Sequence, residues 1–372
     1  MIDHLLHAPS APEDLGARRC TAFQGSARTT SVGLALAEIR REALVFRDEL
    51  RELGTPDAVR TLPLVSLPYP ARFGFFRAAT SPAPYLVMTN RMVVVRYLDF
   101  TGERRTLLFD PTDADLAANT PFFRDLARKT PKLVERLLVR RFPTVAEHLA
   151  ALGIAPADVD FVSFDHLHTQ DVRRLLGTAR PQPDISPDAP VEPLLPRARL
   201  LVQRAELELV AHMHPVQAPW YQPDTFADLP ADRIVTLEGD LLLGPGVALL
   251  STPGHSSGNH TLVVCTDDGI WAFSENVVAA ECLTPQHSEI PGLRKRAGAM
   301  GWEVVLNGNT LEATATQYNS AVKEKCVVDR SRHDERFVQF FPTSQLTPHP
   351  LAPGLAPTFA HPDIDFDAGR SA

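Results

Sequence analysis

The chain has only four cysteines in 372 residues, Cys20, Cys265, Cys282 and Cys326, and no Cys-x-x-Cys pair among them. That spacing excludes a disulfide scaffold and reads as isolated thiols in a reducing compartment. Cys265 falls in an apolar run and reads as a small hydrophobe of a buried strand. Long apolar runs are missing too. No stretch of 18 apolar residues occurs, so no membrane helix is expected. The start, Met-Ile-Asp-His-Leu-Leu-His-Ala-Pro, has neither a basic segment nor a continuous apolar one, so no secretory leader is expected and the location implied is cytoplasmic. Positive charge is not in excess. Lys and Arg total 37 against 45 Asp and Glu, a formal net charge of −8, which argues against a basic nucleic-acid surface. The locally basic Glu135 to Arg141 has the apolar spacing of an amphipathic helix with a solvated face. The expected partner is therefore a small molecule, with no nucleic acid and no membrane.

Hydrophobic residues at 44% and charged residues at 22% are ordinary for a globular enzyme, and the length suffices for one large core or a core with an appendage. The 33 prolines imply many loops, which fits an elaborated, loop-lined functional face. Residues 1–31 read as a mobile arm. From Ser31 to Gly54, Val32, Leu34, Leu36, Ile39, Ala43, Leu44, Phe46 and Leu50 keep helical spacing, and Gly54 fits a stop. That helix packs either on the rest of the chain or on a second copy, so a homodimer is one expectation. Pro63 to Phe76 reads as irregular extended structure, broken by Pro68 and Pro70. Strands are expected at Tyr85–Met88, Met92–Tyr97 and Thr106–Phe109. A helical insert follows over about 113–142, in a place where helices can cover a site as a lid. The tail from Leu351 to Ala372 reads as an extended arm.

Chemistry concentrates in Phe161-Val-Ser-Phe-Asp-His166-Leu-His168-Thr-Gln170-Asp171. In an extended segment, residues two apart point to one side, so His166 and His168 can aim at one point just past a strand end. A second segment, Leu249-Leu-Ser-Thr-Pro253-Gly254-His255, presents a third imidazole on a tight turn between strands. Three imidazoles with an open position suit zinc, manganese or iron. A pair of unrelated loop histidines is the alternative. Asp171 opens a short helix and is read either as a ligand and proton carrier or as a helix cap. Gln170 carries no basic site and is read as orienting water or a substrate carbonyl.

With these motifs in place, the chain resembles the metallo-β-lactamase-fold metallohydrolases, and among them the lactonase-like branch. The resemblance runs from about Leu86 to Thr347. It includes the strand ending in Asp110, the lead-in from Thr144 to Asp160, and the paired strands around Gly239-Asp240 and Pro245-Gly246-Val247 ahead of the Thr-Pro-Gly-His turn. It implies an α/β fold, an αββα sandwich over residues 61–350, with residues 1–60 as arm and helix and 351–372 as tail. It also implies a metal-dependent hydrolase of an ester, lactone or thioester.

The departures from the family pattern are specific. The usual His-x-His-x-Asp-His carries Gln170 and Asp171 at its last two ligand positions. The family's bridging aspartate falls at Asn276, or at Glu275 if the register slips by one. No histidine follows the late strand at the matching place, and His349 is four residues late. The resemblance therefore implies one metal per chain, zinc first, held by His166, His168 and His255 with Asp171 and Glu275 as further ligands. Its alternatives are a mononuclear iron oxygenase on His166, His255 and Glu275, and a non-catalytic member with a decayed site. His212, Trp220, Tyr221 and Asn276 are expected around the substrate.

Overall fold

The computed structural model describes residues 12–308 and 313–369. Two sheets face each other. The six-stranded sheet runs in the order Arg18–Arg19, Leu241–Gly244, Val247–Ser251, His260–Thr266, Gly269–Ser274, Phe340–Pro342. The nine-stranded sheet runs Ile234–Leu237, Arg199–Gln203, Phe161–Ser163, Arg104–Phe109, Tyr85–Leu98, Ala58–Pro70, Asp365–Asp367, with two short side strands. Alternation along each strand sends one set of side chains between the sheets. Val93, Val95, Leu107, Phe109 and Leu201 there meet Leu249, Leu262, Val264, Trp271 and Phe273 in one buried cluster. The other set, including Val94, Leu108, Val263 and Ala272, shares a second cluster with residues of the helices outside the sheets. The expected αββα sandwich is the fold observed.

Helices take the outer layers for legible reasons. Val32–Leu53 starts at Ser31, whose hydroxyl accepts the Leu34 N–H, and ends at Gly54 with φ 109°. It buries Ala35, Ile39, Ala43, Phe46 and Leu50, while Val32, Leu34 and Leu44 of the expected apolar set are exposed. Arg47 and Arg51 anchor it to Asp329 beyond the helix Thr314–Val327. On the opposite side, Val145–Ala151 opens with a capping box between Thr144 and Glu147, and its His148 ring is 2.9 Å from the Pro63 carbonyl.

Three expectations are corrected. The stretch Pro63 to Phe76 is not irregular: Ala58–Pro70 is a long strand paired antiparallel with Tyr85–Leu98. Its other side meets only short partners, Asp365–Asp367 and Arg140–Arg141. Pro63, Pro68 and Pro70 therefore need give no N–H there, and a register shift between Pro63 and Val65 takes up the remaining misfit. Residues 12–31 are not a loose arm, since Arg18 and Arg19 pair with Leu242 and Leu241. The tail likewise adds a strand, Asp365–Asp367. Residues 1–11 of the expected arm lie outside the described residues.

The topology gathers strand ends. Arg104–Phe109, Phe161–Ser163 and Arg199–Gln203 run parallel, so their carboxyl ends lie together, the place where open parallel sheets offer their sites. Asp110 and the Asp165-His166 pair follow two of these ends directly. Glu275 follows Gly269–Ser274 and His255 follows Val247–Ser251 in the facing sheet. Thr343 lies where the chain crosses from one sheet, Phe340–Pro342, to the other, Ser344–Thr347.

Candidate metal centre

After the strand Phe161–Ser163 the backbone stays extended, with His168 bridged to Tyr221 and the Thr169 N–H bonded to the Trp220 carbonyl at 2.6 Å. That conformation puts His166 and His168 on one side. His255 arrives on the turn after Thr252. Gly254 has φ 131°, and a Cβ on it would come within 2.3 Å of the Gln317 backbone, so the turn admits only glycine. The three rings sit 4.4, 4.6 and 5.1 Å apart, centre to centre. Their ligand atoms lie within 4.8 Å of one another, and all three residues are buried. Among the described residues no other histidine, cysteine or carboxylate joins this group.

Each imidazole is held through its other nitrogen or its face. His166 Nδ1 is 2.6 Å from Asp165 Oδ1, and the Thr343 hydroxyl donates to Asp165 Oδ2 at 2.7 Å. His255 Nδ1 is 2.9 Å from the Asn307 carbonyl. His168 packs edge-on against Tyr221 at 4.7 Å. The Nδ1 partners orient His166 and His255 with Nε2 left for a metal, and the Tyr221 ring holds the plane of His168. His166 Nε2 is buried with no hydrogen-bond partner, the signature of a donor atom waiting for an ion. Burial opposes charge on His166, but Asp165 outweighs it and pushes the imidazole up to about 9. Burial holds His168 well below its ordinary value and pushes His255 down to about 3, so both offer neutral rings. The donor set fits a divalent transition metal with room for one or more small ligands.

His166 and His168 line a cavity of about 170 Å³, while His255 completes the trio from outside that lining. The cavity's polar lining includes Asp110, Asp165, Glu275, Gln170, Glu135 and Arg141, and its apolar lining Leu67, Met88, Trp220, Phe123, Leu126 and Val139. The expected helical insert supplies this apolar roof from Pro121–Lys129 and the residues around Lys132–Leu138. Gln170 faces the cavity with its Nε2 donating to Thr112 at 3.0 Å.

Glu275 lies in the cavity wall but outside the converging ligand group. Asn307 Nδ2 reaches one of its carboxylate oxygens at 3.3 Å. Burial pushes Glu275 up to about 7. The iron triad of His166, His255 and Glu275 is accordingly not assembled.

Other expected site residues fall elsewhere. Asp171 turns away from the metal group into a buried fork with Arg173, at 3.0 Å to Nε and 2.6 Å to Nη2, and also accepts the Arg173 N–H at 3.1 Å. It is a structural ion pair and neither ligand nor proton carrier. Asp171→Asn is expected to cost about 2–4 kcal/mol in denaturant unfolding, because the buried Arg173 keeps only the half-exposed Asp184 as a charged partner, beside the neutral Gln182. Metal content and turnover should remain those of the wild type.

His212 is exposed at a helix end, against the Glu208 carbonyl, and does not line the cavity. Tyr221 sits behind His168 and not in the cavity. Trp220 alone of that group faces it. His349 reaches the Leu137 carbonyl, far from a ligand role. Asn276 is fully buried beneath the His255 loop, giving its Nδ2 to Glu324 at 2.8 Å, and does not touch the cavity.

Glu324 also accepts from the Thr261 hydroxyl at 2.7 Å, yet burial pushes its carboxyl up to about 7. A carboxyl whose folded value exceeds its unfolded one loses stability as pH rises from the unfolded value, about 4.5, to about 7. Glu324→Gln should remove that dependence. Unfolding free energies at pH 5 and pH 8 should then differ by about 3 kcal/mol less than in the wild type.

The sequence motifs pointed to Asp110 as a strand-ending aspartate but not to Asp165, Asn307 or Thr343. A carboxylate directly before the first histidine, at a strand end, was the one signal available for Asp165.

No family model matches the sequence, and no curated protein matches it. Solved structures with a similar arrangement were found. A quorum-quenching N-acyl homoserine lactone lactonase is 18% identical, with 66% of this chain and 88% of that chain covered and a TM-score of 0.42. A dizinc quorum-quenching lactonase bound to a product is 12% identical, with 86% and 97% covered and a TM-score of 0.47. A probable metal-dependent hydrolase from Staphylococcus aureus is 13% identical, with 62% and 78% covered and a TM-score of 0.45. The reading of this chain's site rests on its own residues.

Proposed function

We propose that this chain is a metal-dependent hydrolase of an uncharged ester, lactone or thioester. The observation that carries the proposal is the buried convergence of His166, His168 and His255, two of which, His166 and His168, line a largely apolar cavity. One divalent ion, zinc suiting the donor set best, would supply Lewis-acid polarisation of a carbonyl and an acidified water. The chain's own residues do the rest. Asp165 holds His166 in one tautomer. Gln170, fixed by Thr112, is placed to orient a carbonyl or a water. Glu275 is the carboxyl in the wall free to take and return a proton, since its partner Asn307 is a neutral amide. The apolar roof excludes water and receives the substrate's hydrocarbon part. The mostly apolar lining disfavours a substrate that would carry an unpaired charge into it, which is why uncharged substrates are favoured.

The test is a panel of lactones, aryl esters and thioesters offered to zinc-loaded protein. Hydrolysis that stops on chelation and returns with zinc supports the reading. A fully loaded protein that turns over none of the panel contradicts it.

A further inference from the structure

Glu206 stands in the first turn of the helix Arg204–Ala211 and is 1% exposed. Its carboxylate accepts four hydrogen bonds. Oε1 takes the Leu167 N–H and the Tyr221 hydroxyl, each at 2.9 Å. Oε2 takes the Ser256 hydroxyl at 2.7 Å and the Gly258 N–H at 3.1 Å. Leu167 lies between His166 and His168. Tyr221 is the ring that packs on His168. Ser256 directly follows His255. A Cβ on Gly258 would come within 2.3 Å of Glu206 Cβ and backbone N, so glycine there is what lets the loop's N–H reach the carboxylate.

We propose that Glu206 is the positioning residue of the metal centre. One oxygen fixes the segment bearing His166 and His168, the other fixes the loop bearing His255, and the rigid carboxylate sets the distance between them. The proposal rests on the reading of the three histidines as metal ligands. Only an ionised carboxylate suits the place. It offers four lone-pair positions and no hydrogen, matching four donors that include two backbone N–H groups. Glutamine would keep one accepting oxygen and turn an NH2 group toward the other pair. The Ser256 hydroxyl could rotate to accept, but the Gly258 N–H could not, so one loop would lose its tether.

The experiment compares wild type with Glu206→Gln, measuring zinc affinity by chelator competition, the visible spectrum of the cobalt(II) form, and the thermal midpoint of the metal-free protein. The variant is expected to bind zinc about 10- to 100-fold more weakly and to show shifted cobalt bands, because ligand geometry and not only stability has changed. Wild-type zinc affinity and an unchanged cobalt spectrum, beside a lowered midpoint, would reduce Glu206 to a packing residue and overturn the proposal. Should Glu206→Gln fail to fold, Ser256→Ala and Tyr221→Phe each remove one of the four bonds while keeping the carboxylate. Each should weaken zinc by a smaller factor with the same direction of spectral shift, and no change in either variant overturns the proposal equally. A wild-type protein that binds neither zinc nor cobalt would instead sink the metal-centre reading itself.

Discussion

His255→Ala is expected to abolish zinc binding under chelator competition and to lower kcat/KM on the best ester substrate by on the order of 10³ or more, with the fold retained. The ring supplies one of three ligands, and two imidazoles alone leave the ion weakly held. His255 is buried, at 1% exposure. Alanine there leaves a void and removes one of the two partners of the Asn307 carbonyl, Gln317 Nε2 being the other, so a moderate loss of stability, about 1–3 kcal/mol, accompanies the effect. Circular dichroism of the variant should nevertheless match the wild type, because the Ser320 hydroxyl still holds the Pro253 carbonyl of the loop from the helix Thr314–Val327. A variant that kept its zinc would show that His255 is not a ligand.

Glu275→Gln separates proton transfer from metal holding. Glu275 shares the cavity wall with His166 and His168 but lies outside the point where the three histidines converge. Glutamine preserves its size and can still accept from Asn307 Nδ2, so zinc content should remain at the wild-type level. Turnover should fall by about 10²–10⁴, the range for losing a general acid–base group. A variant that lost its zinc in proportion to its activity would make Glu275 a ligand after all. Undiminished turnover would assign the proton transfer elsewhere.

Much of this site was legible in the sequence because it follows from local geometry. His166 and His168 lie two apart in an extended segment, and strand alternation alone puts them on one side. His255 sits beside Gly254 in a turn flanked by apolar runs, and that pattern fixes the turn before any tertiary contact forms. The helix Val32–Leu53 was legible from its spacing, Ser31 cap and Gly54 stop.

What was not legible depends on partners distant in sequence. Asp171 could have been ligand, cap or ion pair, and Arg173 with Asp184 decides it only once the loop closes. Glu206 lies in a helical stretch like any other amphipathic one, and its four donors come from three separate segments. The strand over Ala58–Pro70 was obscured by its prolines, whose cost vanishes because the neighbouring strands are short.

Metal counting on the purified chain tests the central claim most directly. Elemental analysis after zinc loading and removal of excess metal should return one zinc per chain in the wild type and none in His255→Ala. Zinc absent from the wild type, or retained in full by His255→Ala, would contradict a three-imidazole centre at His166, His168 and His255.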